Sequence, residues 1–394
     1  MTLKLLVSGG GTGGHVYPAL TVLEACLGRS LENGSAPLLA SENVLWVGSK
    51  DGMEEELVQR AGVAYVGLPA GGLRGQGLLT SVRNAWQIAS SLGQARRILS
   101  SFQPEVLLVT GGYACVAMTL AAWSKRIPVL VYLPDIAPGL AIRFLSRFAA
   151  KIAVTSEESY RYFRREKVAV TGYPVRASTF SLTKTTARQA LNLAPDEKTV
   201  LVFGGSRGAR SINKALVAGL QHLLPVCQIV HISGRLDADW VAGMAKTLPE
   251  ELQARYHHYT YLHDMPAALV AADLAVARAG ASTLGEFPAA GLPSILVPYP
   301  YSGQHQEPNA RYMAENGAAV VLADAELPDR LVRTILNLLG DEQALADMRE
   351  SAKAMARVDA AQAIVEQLSS LASQRPARGS RKPLARRRQR SDQS

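Results

Sequence analysis

A glycine-rich run near the start of the chain, Gly9-Gly-Gly-Thr-Gly-Gly-His15, provides the first residue types that could carry out chemistry. An apolar run precedes it, and apolar residues with helical spacing follow it from Val16 to Leu27, so we predict a strand, a tight turn and a helix. Backbone N–H groups and the positive end of the helix dipole converge at such a turn, which suits a phosphate or another anion. His15 stands at the mouth of this turn, and its imidazole titrates near neutral pH.

The same turn matches the dinucleotide-binding pattern G-x-G-x-x-G through Gly9, Gly11 and Gly14. That pattern requires an acidic residue for the ribose at the end of the second strand. Here the strand Val44–Val47 is followed by Gly48-Ser-Lys50, and the acidic residue is missing. The sequence therefore argues against NAD binding.

The rest of the chain supplies the elements that position this turn. Short apolar strands alternate with helical segments up to the loop Gly172-Tyr-Pro-Val-Arg176, which is typical of a parallel sheet covered by helices on both faces. The pattern restarts with the apolar run Thr199–Phe203 and a second glycine turn, Gly204-Gly-Ser-Arg-Gly208. We therefore predict the α/β class, with two Rossmann-like, doubly wound domains facing a cleft that holds the ligand.

We place the first domain at residues 1–176 and the second at residues 177–354, and we expect a helix within residues 355–372 to return to the first. Residues 373–394 contain eight basic residues and one acidic residue, so this tail holds +7 of the net charge of +9. The tail lacks apolar periodicity, and we expect it to be disordered. A solvated tail and a tail that contacts anionic lipid or nucleic acid both remain open.

Composition is that of a globular protein, with 48% hydrophobic and 19% charged residues in 394. Cys26, Cys115 and Cys227 lie far apart in apolar surroundings, which predicts buried, reduced thiols in the cytoplasm. No signal segment is expected before the first strand. The uncharged stretch Val106–Ser124 has the length of a membrane span, but Thr110-Gly-Gly-Tyr113 divides it into a strand and a helix.

Four stretches together indicate a family as well as a fold. They are Gly10-Gly-Thr-Gly-Gly-His15, Gly204-Gly-Ser-Arg-Gly-Ala209, Ala277-Arg-Ala-Gly-Ala-Ser-Thr-Leu-Gly-Glu286 and His305-Gln-Glu-Pro-Asn-Ala310. In this order and spacing they closely resemble the MurG family, as do Gly72-Leu-Arg-Gly75, Gly111-Gly-Tyr113 and Pro174-Val-Arg176. The resemblance covers roughly residues 3 to 370. It implies a GT-B fold whose second domain mainly holds a nucleotide sugar.

The resemblance also implies an activity in peptidoglycan synthesis. N-acetylglucosamine (GlcNAc) would pass from UDP-GlcNAc to undecaprenyl-pyrophosphoryl-N-acetylmuramyl-pentapeptide (lipid I), giving lipid II. The leaving UDP develops charge on its diphosphate, which fixed N–H donors at glycine turns can stabilise without a metal ion or another cofactor. Asp237-Ala-Asp239 resembles a metal-binding acidic pair, but we expect it in a surface turn.

For the donor, we expect Ser206 to add a hydroxyl and Arg176 a positive charge near the diphosphate. The resemblance implies that the Glu286 carboxylate accepts hydrogen bonds from the ribose hydroxyls. It also implies that His305 and Gln306 contact the sugar and that Leu262 and Met265 border the uracil. Leu262 and Met265 could equally be core residues. The implied donor-binding set is Thr12, Gly13, Gly14, Arg176, Ser206, Glu286, His305 and Gln306, with the backbone of Leu262 and the side chain of Met265 beside the uracil.

The implied transfer inverts the anomeric carbon, so it needs one general base for the acceptor 4-hydroxyl rather than a covalent nucleophile. His15 is our first candidate for this base, and a role in orienting phosphate or capping the helix is the alternative. Asp135 is the second candidate.

Departures from the family pattern fall mostly in the first domain. Where the family usually has His-Glu-Gln-Asn, this chain has Tyr132-Leu-Pro-Asp135, so the glutamate position is Leu133. Tyr173 replaces an asparagine, Arg207 replaces a glutamine, and Cys115-Val-Ala117 replaces Ser-Gly-Pro. Three of these changes fall in the first domain, which the resemblance assigns to the acceptor.

A lipid acceptor implies a peripheral protein at the cytoplasmic face of the cell membrane, with no nucleic acid partner. Two helical surfaces combine apolar and basic residues and could contact the bilayer, although either could be an ordinary buried face. One comprises Leu78, Leu79, Val82 and Trp86 with Arg74, Arg83, Arg96 and Arg97, and the other comprises Phe144 and Phe148 with Arg143 and Arg147.

The rival functions are a related GT-B transferase with another lipid acceptor such as a diacylglycerol, a UDP-sugar epimerase, and a non-catalytic nucleotide-sugar-binding protein.

Overall fold

The computed structural model describes residues 3–11, 13–28, 39–69, 78–112, 114–205, 208–301 and 306–374, with backbone only for residues 78–89. Several predicted features therefore lie outside the described residues or side chains. They are Thr12, Ser206, Arg207, His305, Tyr113, the stretch Gly72–Gly75, the tail from residue 375 and the side chains of the first helical surface from Leu78 to Trp86.

The first sheet is parallel throughout and has the order β3-β2-β1-β4-β5-β6-β7. Its strands are β1 Leu5–Gly9, β2 Val44–Ser49, β3 Ala64–Leu68, β4 Val106–Gly111, β5 Val129–Leu133, β6 Lys151–Val154 and β7 Val168–Val170. The central strands β1, β4 and β5 are buried along their whole length, because helices cover both faces of the sheet. This is why they appear in the sequence as unbroken apolar runs.

The second sheet is also parallel, with the order β10-β9-β8-β11-β12-β13. Its strands are β8 Thr199–Phe203, β9 Gln228–Ile232, β10 Tyr256–Tyr259, β11 Leu274–Ala277, β12 Ser294–Leu296 and β13 Ala319–Val321. The prediction of two Rossmann-like α/β domains is confirmed.

The helices lie on both sides of these sheets. Those up to the end of the first sheet are α1 Gly13–Cys26, α2 Glu54–Arg60, α3 Leu78–Phe102, α4 Ala114–Ser124 and α5 Leu140–Leu145. The later ones are α6 Ala177–Ser181, α7 Lys184–Ala190, α8 Arg210–Leu223, α9 Ala238–Ala245, α10 Glu250–Gln253, α11 Met265–Ala271, α12 Glu286–Ala290, α13 Gln306–Glu315, α14 Leu327–Gly340, α15 Glu342–Ala354 and α16 Ala360–Ser373. Among the described helices, none is long and apolar enough to cross a bilayer.

The last helix, α16, packs against α1 of the first domain. Its buried residues Ile364, Val365, Leu368 and Leu371 join the same apolar core as β1 and α1. Their spacing of one, three and three residues places them on one face of the helix. The chain therefore crosses between the two domains twice, once after β7 and once before α16.

In each sheet the strand order reverses beside the first strand, between β1 and β4 in one domain and between β8 and β11 in the other. The carboxyl ends of these strands are followed by the two glycine turns. Ligands of doubly wound sheets bind at such reversal points. The topology therefore assigns the candidate site to the same turns that the sequence singled out.

A buried polar network supports the second glycine turn. The Asn213 side-chain nitrogen donates to Ser233 O and to Asp237 Oδ2, both at 2.9 Å, which leaves its Oδ1 as an acceptor. His231 Nε2 lies 3.0 Å from that oxygen and must carry the proton. Its Nδ1 then accepts a hydrogen bond from the Tyr256 hydroxyl at 2.6 Å. The neutral imidazole is thus satisfied on both sides.

This network fixes the start of α8. Asp237 also accepts from Arg210 Nε at 2.8 Å, so both Arg210 and Asn213 of the first turn of α8 are tied to the segment between β9 and α9. Just before them, a Cβ at Gly208 would lie 2.2 Å from Ser233 O, so only glycine permits this approach. Burial and the neighbouring His258 lower the pKa of His231 to about 3.

We expect His231→Gln to reduce the acid sensitivity of the second domain. The unfolded chain protonates His231 below its ordinary pKa of 6.5, whereas the folded chain keeps it neutral to about pH 3. The contribution of neutral His231 to the free energy of unfolding is therefore complete above pH 6.5. As the pH falls below this value, the contribution decreases by up to about 1.4 kcal/mol per pH unit. The variant is less stable than the wild type at pH 7, and this gap should narrow by about 2 kcal/mol at pH 5.

Urea unfolding at the two pH values measures this gap. His222→Gln changes an exposed histidine of the same domain and serves as the control. A gap that stays constant between pH 7 and pH 5 would contradict the neutral, buried state of His231.

Candidate functional site

The first glycine turn is closed by a buried carboxylate. Glu54, which is 1% exposed, accepts hydrogen bonds from Ser49 N at 2.9 Å and from Gly11 N at 3.4 Å. A Cβ at Gly10 would lie 2.2 Å from Glu54 Oε1, and Gly11 has a φ of +91°. Glycine is therefore required here both by space and by backbone conformation.

His15 lies in the first turn of α1, which begins at Gly13 and Gly14, and its ring is half-buried. A Cβ at Gly111 would lie 3.2 Å from His15 Nε2, so the imidazole rests against bare backbone at the end of β4. Gly111 has a φ of +126°, which again favours glycine. The structure therefore brings His15 to the reversal point of the first sheet.

A cluster of aromatic and charged groups spans the cleft. The Arg176 guanidinium lies over the Tyr17 ring at 5.3 Å, in a cation–π contact between the interdomain segment and α1. Tyr261, which follows β10 in the second domain, lies near the Tyr17 hydroxyl. Burial and the neighbouring Tyr261 raise the pKa of Tyr17 to about 12. Arg176 is thus held between the two domains.

Glu286 begins α12 and faces this cluster. Its side chain is half-buried, and burial raises its pKa, opposed by a hydrogen bond with Ser282 and by the positive charge of Arg176. Just before it, the Gly285 backbone packs against the Tyr173 ring. The structure brings Glu286, Arg176 and Tyr17 together.

The domains also meet at one buried amide. Asn309 of α13 accepts a hydrogen bond from Ile136 N at 2.9 Å and donates to Asp135 Oδ1 at 2.8 Å and to Ala279 O at 3.1 Å. Ile136 is fully buried and belongs to the apolar core of the second domain, although it follows β5 of the first. We name Asp135, Ile136 and Asn309 the seam.

The residues that replace the family's His-Glu pair do not reach the cleft. Tyr132 and Leu133 are each 1% exposed. The Tyr132 hydroxyl pairs with Thr155 Oγ1 and donates to Gly172 O, each at 3.2 Å. Leu133 packs in the apolar core of the first domain. Of the described atoms at these positions, none is placed to exchange a proton with a ligand.

The residues expected at the uracil and the sugar have mixed environments. Leu262 and Met265 are half-buried and pack against the core of the second domain, so their contact with a base remains a prediction. Gln306 Oε1 accepts a hydrogen bond from Tyr299 N at 2.9 Å. The expectation of a surface turn at Asp237 is wrong, because Asp237 is 3% exposed and is bound by Arg210 and Asn213. Over the described ranges, no group of His, Cys, Asp or Glu side chains could hold a metal ion.

Arg278 is a structural residue of the site that sequence reasoning missed. It lies in the stretch Ala277–Glu286, pairs with Asp324 at 2.5 Å, and donates to Ser211 Oγ at 2.8 Å and to Val297 O at 3.3 Å. It thereby ties together segments that follow β8, β11, β12 and β13. The only local signal was an arginine directly after a buried strand.

Two family models match most of the chain. The glycosyltransferase family 28 N-terminal domain matches residues 5–154, and the C-terminal domain of the same family matches residues 199–364. A UDP-N-acetylglucosamine–N-acetylmuramyl-(pentapeptide) pyrophosphoryl-undecaprenol N-acetylglucosamine transferase of Roseiflexus sp. (strain RS-1) is 41% identical and covers 95% of this chain and 96% of its own length. The chain belongs to the MurG family.

Solved structures agree with this assignment at the level of the fold. The crystal structure of Acinetobacter baumannii MurG has a TM-score of 0.70 and 24% identity, and covers 93% of this chain and 99% of that chain. UDP-GlcNAc 2-epimerase from Neisseria meningitidis, bound to UDP-GlcNAc, has a TM-score of 0.64 and 15% identity, over 93% and 100%. The predictions of the MurG family and of its GT-B fold are confirmed.

Proposed function

We propose that the chain transfers GlcNAc from UDP-GlcNAc to lipid I with inversion, as its membership of the MurG family implies. The observation that supports this most directly is the cluster in which Arg176 and Glu286 of the donor side meet Tyr17, two residues after His15, across the cleft. A cation and a carboxylate at one interdomain site, with an imidazole at the neighbouring glycine turn of the first domain, suit the transfer of a sugar from a nucleotide to a hydroxyl.

The donor is bound mainly by the second domain in this proposal. Arg176 and the N–H groups of the second glycine turn, with Ser206, stabilise the charge that develops on the UDP diphosphate. Glu286 accepts hydrogen bonds from the ribose; burial raises its pKa, and the nearby Arg176 opposes this rise and favours the ionised carboxylate. His305 and Gln306 contact the sugar, and Leu262 and Met265 border the uracil. Thr12, Gly13 and Gly14 approach the donor from the first domain.

The acceptor 4-hydroxyl gives its proton to His15 as it attacks the anomeric carbon. The bond from that carbon to the diphosphate oxygen breaks, and UDP leaves with the electron pair. His15 supports this role by its place at the reversal point of the first sheet, where its ring rests on Gly111. Asp135 is the weaker candidate, because its carboxylate already accepts a hydrogen bond from Asn309 in the seam.

We expect UDP release from UDP-GlcNAc to depend on lipid I and to fall about 10²- to 10⁴-fold in His15→Ala, the usual contribution of a general base. Asp135→Asn keeps an acceptor oxygen for Asn309 and should change the rate only a few-fold. Coupled detection of UDP, with detergent-solubilised lipid I, measures both rates.

The outcomes separate the alternatives. A rate that survives His15→Ala but collapses in Asp135→Asn would assign the base to Asp135. UDP release with diacylglycerol but not with lipid I would identify diacylglycerol as the acceptor. Binding of UDP-GlcNAc without release on any lipid would leave a non-catalytic binding protein.

We expect Glu286→Ala to weaken donor binding by about 1.5–3 kcal/mol, the range for hydrogen bonds to a charged group, or roughly 10- to 150-fold in Kd. Calorimetric titration with UDP-GlcNAc measures this effect. Glu307→Ala removes an exposed carboxylate of α13, paired with Arg311, and is the matched control. An unchanged Kd in Glu286→Ala would exclude the ribose contact.

Peripheral binding to the cytoplasmic face of the membrane is part of this proposal. Trp123, Phe144 and Phe148 form a ladder of edge-to-face contacts at 5.4 and 5.3 Å, and Trp123 is 59% exposed. A groove beside this ladder also contains Arg126, Arg147 and Lys167. Apolar rings with a cationic rim suit the headgroup region of an anionic bilayer. We name these six residues the aromatic face.

The helix that precedes the basic tail, α16, ends beside the aromatic face. Leu371 and Gln374, at the end of α16, line the groove of the aromatic face, so residues 375–394 start beside it. The tail carries +7 of the chain's net charge of +9. Lipid electrostatics acts within about a Debye length of the surface, so a tail starting there adds to the attraction of this face.

We expect Trp123→Ser to lower partitioning onto vesicles containing phosphatidylserine roughly tenfold, because a large exposed ring no longer enters the interface. Removal of residues 375–394 should lower partitioning further and reduce its dependence on salt. Vesicle sedimentation measures both effects. Val226→Ser, at a position 53% exposed in the second domain, is the control. Equal partitioning of all these proteins would exclude the aromatic face as the membrane-binding surface.

A further inference from the structure

The Tyr173 hydroxyl is a buried polar group that the protein itself does not satisfy. Tyr173 is 4% exposed, and its hydroxyl oxygen has no hydrogen-bond partner in the part of the chain that the structure describes. A buried hydroxyl without a partner destabilises the fold, whereas a phenylalanine of the same shape would avoid this loss. Such a group calls for an explanation, and a bound molecule is one.

A second buried tyrosine nearby shows the ordinary situation. The Tyr132 hydroxyl pairs with Thr155 Oγ1 and with Gly172 O, both at 3.2 Å, and the latter belongs to the residue directly before Tyr173. Both tyrosines are buried. The fold uses the Tyr132 hydroxyl, whereas the Tyr173 hydroxyl has no partner among the described residues.

The position of Tyr173 connects it to the donor side of the cleft. It stands three residues before Arg176 on the segment that crosses between the domains, and its ring packs on the backbone of Gly285, directly before Glu286. Burial and the charges of Glu286 and Asp135 raise its pKa well above the ordinary value. The hydroxyl thus keeps its proton and remains a hydrogen-bond donor among groups that accept.

We propose that the Tyr173 hydroxyl is a positioning residue of the donor site, which donates a hydrogen bond to an oxygen of the nucleotide sugar when the donor binds. This inference rests on the proposed function, because it takes UDP-GlcNAc as the ligand. UDP-GlcNAc is rich in acceptor oxygens on its phosphates, its ribose and its sugar. A donor held between Arg176 and Glu286 brings such oxygens to the segment that carries Tyr173.

The Tyr173 hydroxyl arises from a departure from the family motif. Tyr173 occupies a position where the resemblance expects asparagine, so a phenolic donor replaces a shorter amide beside Pro174 and Arg176. The longer side chain reaches further into the space between the domains, where the backbone of Gly285 leaves room for its ring.

Calorimetric titration of the full-length Tyr173→Phe variant with UDP-GlcNAc and with UDP tests the proposal. We expect the Kd for UDP-GlcNAc to rise about 5- to 20-fold, as for one lost hydrogen bond, while the melting temperature stays equal or rises. The KM for UDP-GlcNAc should rise by the same factor. An equal loss for UDP locates the contact on the nucleotide, and a loss for UDP-GlcNAc alone locates it on the sugar.

Tyr132→Phe is the matched control, since it removes a hydroxyl that the fold uses. It should lower the melting temperature by about 2–4 °C and leave the Kd for UDP-GlcNAc unchanged. If Tyr173→Phe binds UDP-GlcNAc like the wild type, the hydroxyl has no part in the donor site and the inference is overturned. If the wild type itself binds neither UDP-GlcNAc nor UDP, the proposed function fails instead.

Discussion

Close approach of bare backbone at the ends of the central strands is the constraint on which the site depends. A side chain at Gly10 would collide with Glu54 and one at Gly208 with the carbonyl of Ser233, and one at Gly111 would crowd His15. Each glycine lets a functional group or another strand lie against the main chain. The helices that follow then start at the reversal points of the two sheets, with their N–H groups facing the cleft.

The two domains are not independent halves placed side by side. Ile136 belongs by sequence to the first domain and by packing to the core of the second, and the Asn309 amide satisfies its buried N–H. Arg176 and Tyr17 make a further connection closer to the cleft. The positions of Asp135 and Arg176 relative to α13 and α12 are therefore fixed by apolar burial and by hydrogen bonds in the same region.

The sequence alone was sufficient to predict the features that depend on residues close together in the chain. Glycine turns between an apolar run and a helix predicted both reversal points, and the quoted motifs predicted the family. It could not predict Glu54 at the first turn, because this carboxylate arrives only when β2 pairs beside β1. For the same reason it missed the Asp324 partner of Arg278 and the seam role of Asn309, which join residues 46 and 174 positions apart. The unsatisfied hydroxyl of Tyr173 likewise became visible only with the packing around it.

Arg278 has a consequence for the thermodynamics of binding. One guanidinium joins the segments after four strands of the second sheet, so these segments form a rigid unit before any ligand arrives. Binding to a preorganised surface loses little conformational entropy, which leaves more of the contact energy as affinity. A ligand that contacts these segments of the second domain therefore loses little entropy in ordering them.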